Sequence, residues 1–305
     1  ESACDSIGLN RLKFWRLPFV EFQRNCEPRP VSEDNFASKH LYLRQTLSKK
    51  INFIDDYLIG SYIKNTQIKP RTDIDIFVVL HSTYWTEQEL NTPRKVFILL
   101  LRSLRNTYPN SKIRSDGQAI TIQQSNGFKI DVIPAFETAS DSYIIPNQRG
   151  QTWIPCNPKI HIKYLTDWNQ ALNGKLKPLI KMVKCWSKVN EVPIKSFHIE
   201  LLVIDTFKSL NAEAIKEVCS NYPRALTHIF QQGCLLIDNP FYDEMNERVD
   251  GYLDKGNLRT VVWKKLQTAA EYSTRAIHFQ KSGKERFAIG VWRGLFKFYF
   301  PKASG

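Results

Sequence analysis

Three aspartates stand in apolar stretches of a kind in which aspartate is uncommon. Asp73 and Asp75 lie two residues apart in a run rich in Ile, Phe and Val, and Asp131 lies in a second such run. Because alternate residues of a strand share one face, the first two carboxylates are expected to point the same way. Neighbouring carboxylates repel each other unless a cation neutralises them, and oxygen-rich sites suit Mg²⁺. The pattern predicts a metal site formed by all three.

A Gly-Ser pair stands upstream of these acids, at the end of a predicted strand. Gly60 would let the backbone approach a phosphate closely, and Ser61 could donate its hydroxyl. If these residues open a short helix, its first N–H groups add a positive dipole end. The pair alone is weak evidence. A strand, then Gly60-Ser61, then Asp73 and Asp75 on the next apolar strand together predict a phosphate-binding turn beside the metal site.

The elements that must position these residues follow from the apolar periodicity. The first half of the chain is mixed, with a helix over Ser32–Lys50 capped by Ser32 and another over Pro93–Tyr108. The predicted strands of this half are Phe53–Ile59, Ile74–Leu80, Lys112–Arg114, Ala119–Gln123 and Phe128–Phe136. Asn126-Gly127 is a strong hairpin signal between the last two, and it makes Asp131 part of a hairpin strand.

The second half changes to helical spacing. The predicted helices are Ile160–Asn173, Leu176–Asn190, Ser196–Leu210, Ala212–Asn221 and Leu258–Phe279. The change falls near Pro155–Pro158, so we expect two domains. Residues 1–156 form an α/β (α+β) catalytic core with an N-terminal spine helix and a mixed, twisted sheet. Residues 157–305 form a helical lobe, and the active site is expected in the cleft between the two.

The composition of the chain indicates the class of partner that it binds and the cellular compartment that we expect for it. The chain has 305 residues with a formal net charge of +13, which suits polyanions such as nucleic acid or nucleoside triphosphates. No apolar run approaches the roughly 20 residues needed to cross a bilayer, and the N-terminal residues lack the features of a signal peptide. The six cysteines are widely spaced, without a CxxC pair. We therefore expect a cytoplasmic protein with reduced thiols and no membrane partner.

The spacing of these motifs resembles a known superfamily. Gly60-Ser61, an eleven-residue gap and then Asp73-Ile74-Asp75-Ile76 is similar to the signature of the polymerase-β nucleotidyltransferases. Within that superfamily the residues of these motifs resemble those of the bacterial cGAS/DncV-like nucleotidyltransferases, or CD-NTases. Further matching segments are Phe128–Ala135, Tyr143–Pro146, Trp153-Ile154, Asn157-Pro158, Leu179–Trp186 and Lys195–Leu202. The resemblance covers Ser32 to Leu210, and the C-terminal third matches only as a helical continuation.

The resemblance implies an activity and further site residues. Such enzymes make cyclic di- or trinucleotide second messengers from nucleoside triphosphates, with two Mg²⁺ ions and Mn²⁺ as a substitute, typically in anti-phage (CBASS) signalling to a downstream effector protein. The helical lobe would be of the OAS/cGAS type. By position in the motifs, a triphosphate contact falls to Lys184 with Lys181, a phosphate contact to Ser196 and a base-stacking role to Phe197. Phe197 replaces the commoner Tyr, which keeps stacking but removes a hydroxyl donor.

Each of these residues also has a structural reading. Asp73 and Asp75 could be solvated acids of an edge strand, and Asp131 could face solvent. Lys181 and Lys184 could form a solvated basic face. Ser61 and Ser196 could cap helices, and Phe197 could belong to the core.

Alternative functions share the same three acids. A linear template-independent RNA nucleotidyltransferase would need an RNA-binding module with aromatic stacking platforms, which the sequence does not display. A nucleic-acid-activated OAS/cGAS-like sensor is disfavoured in its zinc-bearing, DNA-sensing form, because no His is followed by clustered Cys. The positive charge keeps sensing of double-stranded RNA open. The chain ends in Gly305, for which the resemblance implies conjugation by ubiquitin-like machinery, with an ordinary flexible end as the alternative.

Overall fold

The structure is a computed structural model, which describes residues 17–28, 33–70, 73–85, 91–115, 118–139, 142–147 and 150–303. The chain forms two compact units. One is Arg29–Tyr164, and the other combines Leu165–Gly305 with the N-terminal segment through Pro28. None of the described helices is long and apolar enough to span a membrane.

The unit Arg29–Tyr164 is built on one mixed sheet of seven strands. The strands are β1 (Phe53–Ile59), β2 (Asp73–Leu80), β3 (Lys112–Ser115), β4 (Ile120–Gln123), β5 (Lys129–Ala139), β6 (Ser142–Pro146) and β7 (Trp153–Cys156). Their order is β1-β2-β5-β4-β3, with β6 pairing both β5 and β7. The pair β2–β5 is parallel and the other pairs are antiparallel. This arrangement confirms the predicted mixed sheet.

Helices of this unit cover one face of the sheet. They are α2 (Glu33–Leu47) and α4 (Pro93–Thr107), with the four-residue helix α3 (Gly60–Ile63) between β1 and β2. Helix α1, which covers residues 17–26, belongs to the other unit. Alternate residues of β2 face α2 and α4 and are fully buried, among them Ile74, Ile76 and Val78. The predicted strand bounds held to within a few residues, except that β5 is longer and β6 and β7 were missed.

An ion cluster fixes α2 on β1. The Asp56 carboxylate, 4% exposed, accepts hydrogen bonds from His40 and from Arg44 Nε. Arg44 also donates to the Asp56 carbonyl at 3.1 Å. Because both side chains come from one helix face, the cluster sets where α2 lies along the strand. The predicted cap of this helix, Ser32, lies outside the described residues.

The other unit is helical, as predicted for the second half. After α5 (Pro158–Ala171), which contains the division between units, come α6 (Leu176–Val189), α7 (Ser196–Asp205), α8 (Ala212–Val218), α9 (Tyr222–Leu236), α10 (Leu258–Lys281) and α11 (Glu285–Phe296). Helices α9 and α11 were not predicted. Cys26, Cys156, Cys185, Cys219 and Cys234 are free thiols in the structure. Cys4 and Gly305 lie outside the described residues.

The division differs from the predicted domains, 1–156 and 157–305, in two places. Residues 17–28 belong to the helical unit rather than to the sheet unit, and the boundary falls after Tyr164 rather than after Cys156. The first difference has a packing cause. Phe22, fully buried, meets the rings of Phe296 and Phe300 at centroid distances of 4.4 and 5.3 Å. An aromatic cluster formed with the end of the chain therefore holds α1.

Candidate active site

Three acids share one face of the sheet. In the parallel pair β2–β5, Asp75 lies directly opposite Asp131, and Asp73 lies two residues earlier on β2. Their neighbours Ile74, Ile76, Ile130 and Val132 are fully buried on the opposite face. Because side chains alternate across a strand, the three carboxylates project from the face of the sheet opposite to these apolar residues. Asp73 is exposed, while Asp75 and Asp131 are half-buried.

The position of β2 rules out one structural reading. Strand β2 pairs with β1 on one side and β5 on the other, so Asp73 and Asp75 do not belong to an edge strand. An interior strand that carries two aspartates on one face is costly unless the charges are balanced. The register therefore favours a functional reason for these acids.

The Gly60-Ser61 turn lies against the acids. Ile59, the last residue of β1, is paired with Asp75, and the chain then enters α3 at Gly60 with φ of +69°. A Cβ at Gly60 would come within 2.0 Å of Asp75 Oδ2. Only glycine fits there, because the conformation is left-handed and the space is taken by the carboxylate. Ser61 is the second residue of α3 and not its cap, since the helix begins at Gly60 after Ile59.

Two polar residues that the sequence analysis missed support the acids. Thr121 Oγ1 donates a hydrogen bond of 2.6 Å to Asp131 Oδ1 from the neighbouring strand β4. Gln67 Nε2 donates to the backbone carbonyl of Asp73 at 2.9 Å. The hairpin pairing of β4 with β5 could have pointed to Thr121, but only a register exact to one residue selects it. No sequence signal singled out Gln67.

The donor set fits a hard divalent cation such as Mg²⁺. Three carboxylates on adjacent strands supply oxygen ligands of the kind Mg²⁺ prefers. Among the described residues, however, no group of three or more His, Cys, Asp or Glu side chains is arranged as a finished metal site. Mg²⁺ usually takes only one or two carboxylates from the protein and completes its shell with water and substrate phosphates. The three carboxylates fit Mg²⁺ because of their residue type and their shared face of the sheet, and not because they form a complete coordination shell.

The two predicted lysine ligands are paired with carboxylates in the helical unit. Lys184, on α6, donates to Glu200 on α7 at 2.7 Å, and both side chains are about 95% buried, with exposures of 5% and 4%. Lys181 donates to Glu27 at 2.6 Å, with exposures of 4% and 39%. The reading of these lysines as a solvated basic face is therefore wrong. Whether either also contacts a nucleotide stays a prediction.

Ser196 and Phe197 lie at the start of α7. Ser196 is exposed and is the first helical residue, and Lys195 occupies the cap position without a side-chain hydrogen bond. Ser196 is thus not the helix cap. Phe197 is half-buried.

The turn before α7 is stabilised by Tyr252, which lies far from it in sequence. The Lys195 backbone N–H donates to the Tyr252 hydroxyl at 2.8 Å, and that hydroxyl lies 3.0 Å from His198 Nδ1. Burial lowers the pKa of His198 to about 4, so the imidazole is neutral near pH 7 and Nδ1 can accept the hydroxyl proton. Tyr252 therefore ties the Ser196-Phe197 turn to the buried His198.

Comparison with known proteins decides the family. A family model described as the Second Messenger Oligonucleotide or Dinucleotide Synthetase domain matches residues 16–169, about half of the chain. The chain belongs to this family. It is a CD-NTase, as the motif resemblance predicted, and hence a nucleotidyltransferase.

Individual relatives are distant in sequence. A cyclic AMP-AMP-AMP synthase of Acinetobacter sp. is 22% identical over 240 residues, which are 74% of this chain and 66% of that protein, just under two thirds. The cyclic nucleotide synthase CdnE01 of Staphylococcus haemolyticus is 22% identical over 79% of this chain and 94% of its own length. The solved CD-NTase CdnG of Bradyrhizobium diazoefficiens, in complex with GTP, superimposes with a TM-score of 0.69 at 14% identity, covering 92% of this chain and 94% of that one. The structural likeness shows a shared fold with the polymerase-β-like CD-NTases.

Proposed function

We propose that the chain joins ribonucleoside triphosphates into cyclic di- or trinucleotide second messengers for a downstream effector protein in anti-phage (CBASS) signalling. The register that sets Asp75 opposite Asp131, with Asp73 two residues before it, carries the proposal. The naming of the Acinetobacter relative as a cyclic AMP-AMP-AMP synthase supports the class of product, and the GTP bound to the Bradyrhizobium neighbour supports the class of substrate.

In this mechanism Asp73, Asp75 and Asp131 hold Mg²⁺, with Mn²⁺ as a substitute. When bound there, a divalent cation would balance the carboxylates, acidify a ribose hydroxyl and neutralise charge on the triphosphate. Asp131 helps to remove the proton of the attacking hydroxyl. Gly60 admits the phosphates to the backbone beside Asp75, and the Ser61 hydroxyl donates a hydrogen bond to one of them. Catalysis then consists of positioning and charge balance, with little covalent work by the protein.

The remaining nucleotide contacts of the proposal come from the helical unit. Lys181 and Lys184 bind the triphosphate, Ser196 binds a phosphate and Phe197 stacks on a base. Lys181 is the better placed of the two lysines to exchange its partner, because Glu27 is more exposed than Glu200. In the proposal a phosphate oxygen replaces the carboxylate as the acceptor of the lysine's hydrogen bond, since both are anionic acceptors.

The test is incubation of the purified protein with all four ribonucleoside triphosphates and Mg²⁺ or Mn²⁺. The products are treated with phosphatase and analysed by mass spectrometry. We expect phosphatase-resistant cyclic species, with a loss of about 1,000-fold or more in the Asp73→Ala/Asp75→Ala variant. Asp55→Ala is the matched control, because Asp55 is an exposed carboxylate on the neighbouring strand β1.

Other outcomes would change the proposal. Long linear products lost in the same double variant would identify a template-independent RNA nucleotidyltransferase instead. Product that forms only after double-stranded RNA or DNA is added would identify a nucleic-acid-activated sensor. Silence under all of these conditions would contradict the synthase proposal.

A further inference from the structure

Thr121 lies in one row with two of the acids. Across the sheet, Asp75 on β2 faces Asp131 on β5, and Asp131 faces Thr121 on β4. Directly opposed residues share a face of the sheet, so Asp131 stands between a carboxylate on one side and a hydroxyl on the other. The contact with Thr121 is therefore built into the strand register.

The hydroxyl is committed to the Asp131 carboxylate. Thr121 Oγ1 donates to Asp131 Oδ1 at 2.6 Å, a distance typical of a strong hydrogen bond to an ionised acceptor. Thr121 is 5% exposed, so water competes little for this bond. A β-branched side chain in a strand also has restricted χ1 freedom, which keeps the donor in place.

We infer that Thr121 is a positioning residue of the active site, which orients the Asp131 carboxylate for the divalent cation. One hydrogen bond to Oδ1 fixes the rotation of the carboxylate about its Cβ–Cγ bond relative to Asp75. Partners of this kind, bonded to a metal-binding carboxylate, typically contribute 10- to 100-fold to metal affinity or activity. The inference rests on the proposed function, in which Asp131 is a ligand.

A structural role alone predicts something different. If Thr121 only satisfied its own buried hydroxyl, its replacement would lower stability and leave metal affinity unchanged. If it orients Asp131, a variant of similar shape without the hydroxyl must lose metal affinity even when it is fully folded. Metal binding therefore separates the two roles.

The experiment measures Mn²⁺ binding to the full chain by the loss of the free-ion electron paramagnetic resonance signal. Turnover and thermal unfolding are recorded beside it. Thr121→Val is expected to weaken Mn²⁺ binding and lower turnover about 10-fold, and Thr121→Ser, which keeps the hydroxyl, is expected to restore most of both. Thr107→Val is the matched control, because its hydroxyl bonds to the Ser103 carbonyl within α4, at 2.9 Å.

The outcomes distinguish this inference from the proposed function. Wild-type Mn²⁺ affinity in folded Thr121→Val, with affinity lost in Asp73→Ala/Asp75→Ala, would overturn the role of Thr121 and leave the metal site standing. Mn²⁺ binding unaffected by the double aspartate variant, or absent from the wild type, would overturn the metal site and the inference together. A Thr121→Ser variant as weak as Thr121→Val would also contradict the role of the hydroxyl.

Discussion

At the scale of single residues, the position of Asp75 in this CD-NTase depends on the absence of a side chain at Gly60. Asp75 Oδ2 fills the volume that any side chain at position 60 would need. The absence of a Cβ at Gly60 is thus a condition for the position of Asp75, beyond the flexibility that glycine supplies. This contact explains how the Gly60-Ser61 turn and the Asp75 carboxylate can share so small a space.

Gly60→Ala should cost far more activity than its backbone strain alone explains. The new Cβ must displace Asp75, and a displacement of about 1 Å in an active site can lower turnover about 100-fold. The left-handed backbone at Gly60, with φ of +69°, adds a destabilisation of about 1–2 kcal/mol. Turnover and the midpoint of urea unfolding are the two measurements.

Gly127→Ala provides the control for that variant. Gly127 also has a positive φ, +82°, but a Cβ there would meet nothing within 4 Å. It should show similar backbone strain with turnover near that of the wild type. Equal turnover losses in the two variants would show that strain, and not the contact with Asp75, explains the effect.

At the scale of elements, helix α7 is anchored through a buried histidine. His198 is fully buried on α7 and contacts the Tyr252 hydroxyl and the ring of Phe241, whose centroid lies 4.5 Å away. Burial lowers its pKa to about 4; Asp250 opposes this shift and Arg259 adds to it. The start of α7 thus depends on a side chain that must remain uncharged.

This arrangement predicts that stability falls as the solution is acidified. The folded pKa of His198 is about 4 and that of an unfolded histidine is about 6.5. Between these values the unfolded chain binds the proton that the folded chain refuses, so the stabilisation is complete above pH 6.5 and is lost as the pH falls towards 4. Urea unfolding at pH 7, 6 and 5 should show a His198 contribution on the order of 1 kcal/mol.

The histidine contribution can be isolated with His198→Asn. The amide keeps a short polar side chain at the position but does not titrate in this range. Its unfolding free energy should be lower than that of the wild type at pH 7, and it should fall less between pH 7 and pH 5. Identical pH profiles for the two proteins would show that His198 does not contribute.

At the scale of the whole molecule, the helical unit is not continuous in sequence. Residues 17–28 join Leu165 onwards, while the intervening chain forms the sheet unit. The contacts that close this unit are aromatic: Phe19 meets Trp292 and Phe300 at centroid distances of 5.3 and 5.0 Å, beside the contacts of Phe22. Helix α1 and the segment 292–300 therefore stabilise each other.

Phe22→Ala should destabilise the helical unit strongly. Removing a fully buried Phe costs about 3–5 kcal/mol, since the lost ring leaves a cavity among the remaining aromatic residues. Thermal unfolding by differential scanning calorimetry measures the effect. Leu17→Ala is the control on the same helix, because Leu17 is 70% exposed and its loss should change little. Similar melting temperatures for Phe22→Ala and the wild type would contradict the packing role of α1.

Local pattern was enough to predict the elements around the acids. Strand β1 and the start of α4 fall where the sequence placed them, because their apolar periodicity and flanking turn or proline residues act within a few residues of chain. The same holds for the shared face of Asp73 and Asp75, which strand geometry alone dictates. The helical bias of the second half was also visible, although α9 and α11 were missed.

Register required the tertiary structure. A two-residue Asn126-Gly127 turn would set Asp131 opposite Ile122, on the apolar face. The structure instead has a three-residue loop, Ser125 to Gly127, closed by the Gln124 N–H to the Phe128 carbonyl at 2.8 Å. Asp131 thereby faces Thr121. A shift of one residue reverses every side chain of a strand, and burial of Ile122 and Ile130 on the core side selects the observed pairing.

Contacts between residues far apart in the chain also could not be predicted from the sequence. Glu27 and Lys181 are separated by 154 residues, and Lys195 and Tyr252 by 57, so no local periodicity connects them. The carboxylate partners of Lys181 and Lys184 are selected only when the helices pack. The sequence by itself determined which residues could carry the chemistry. The packing of strands and helices decided which neighbours hold them in position, because that choice depends on burial shared between distant parts of the chain.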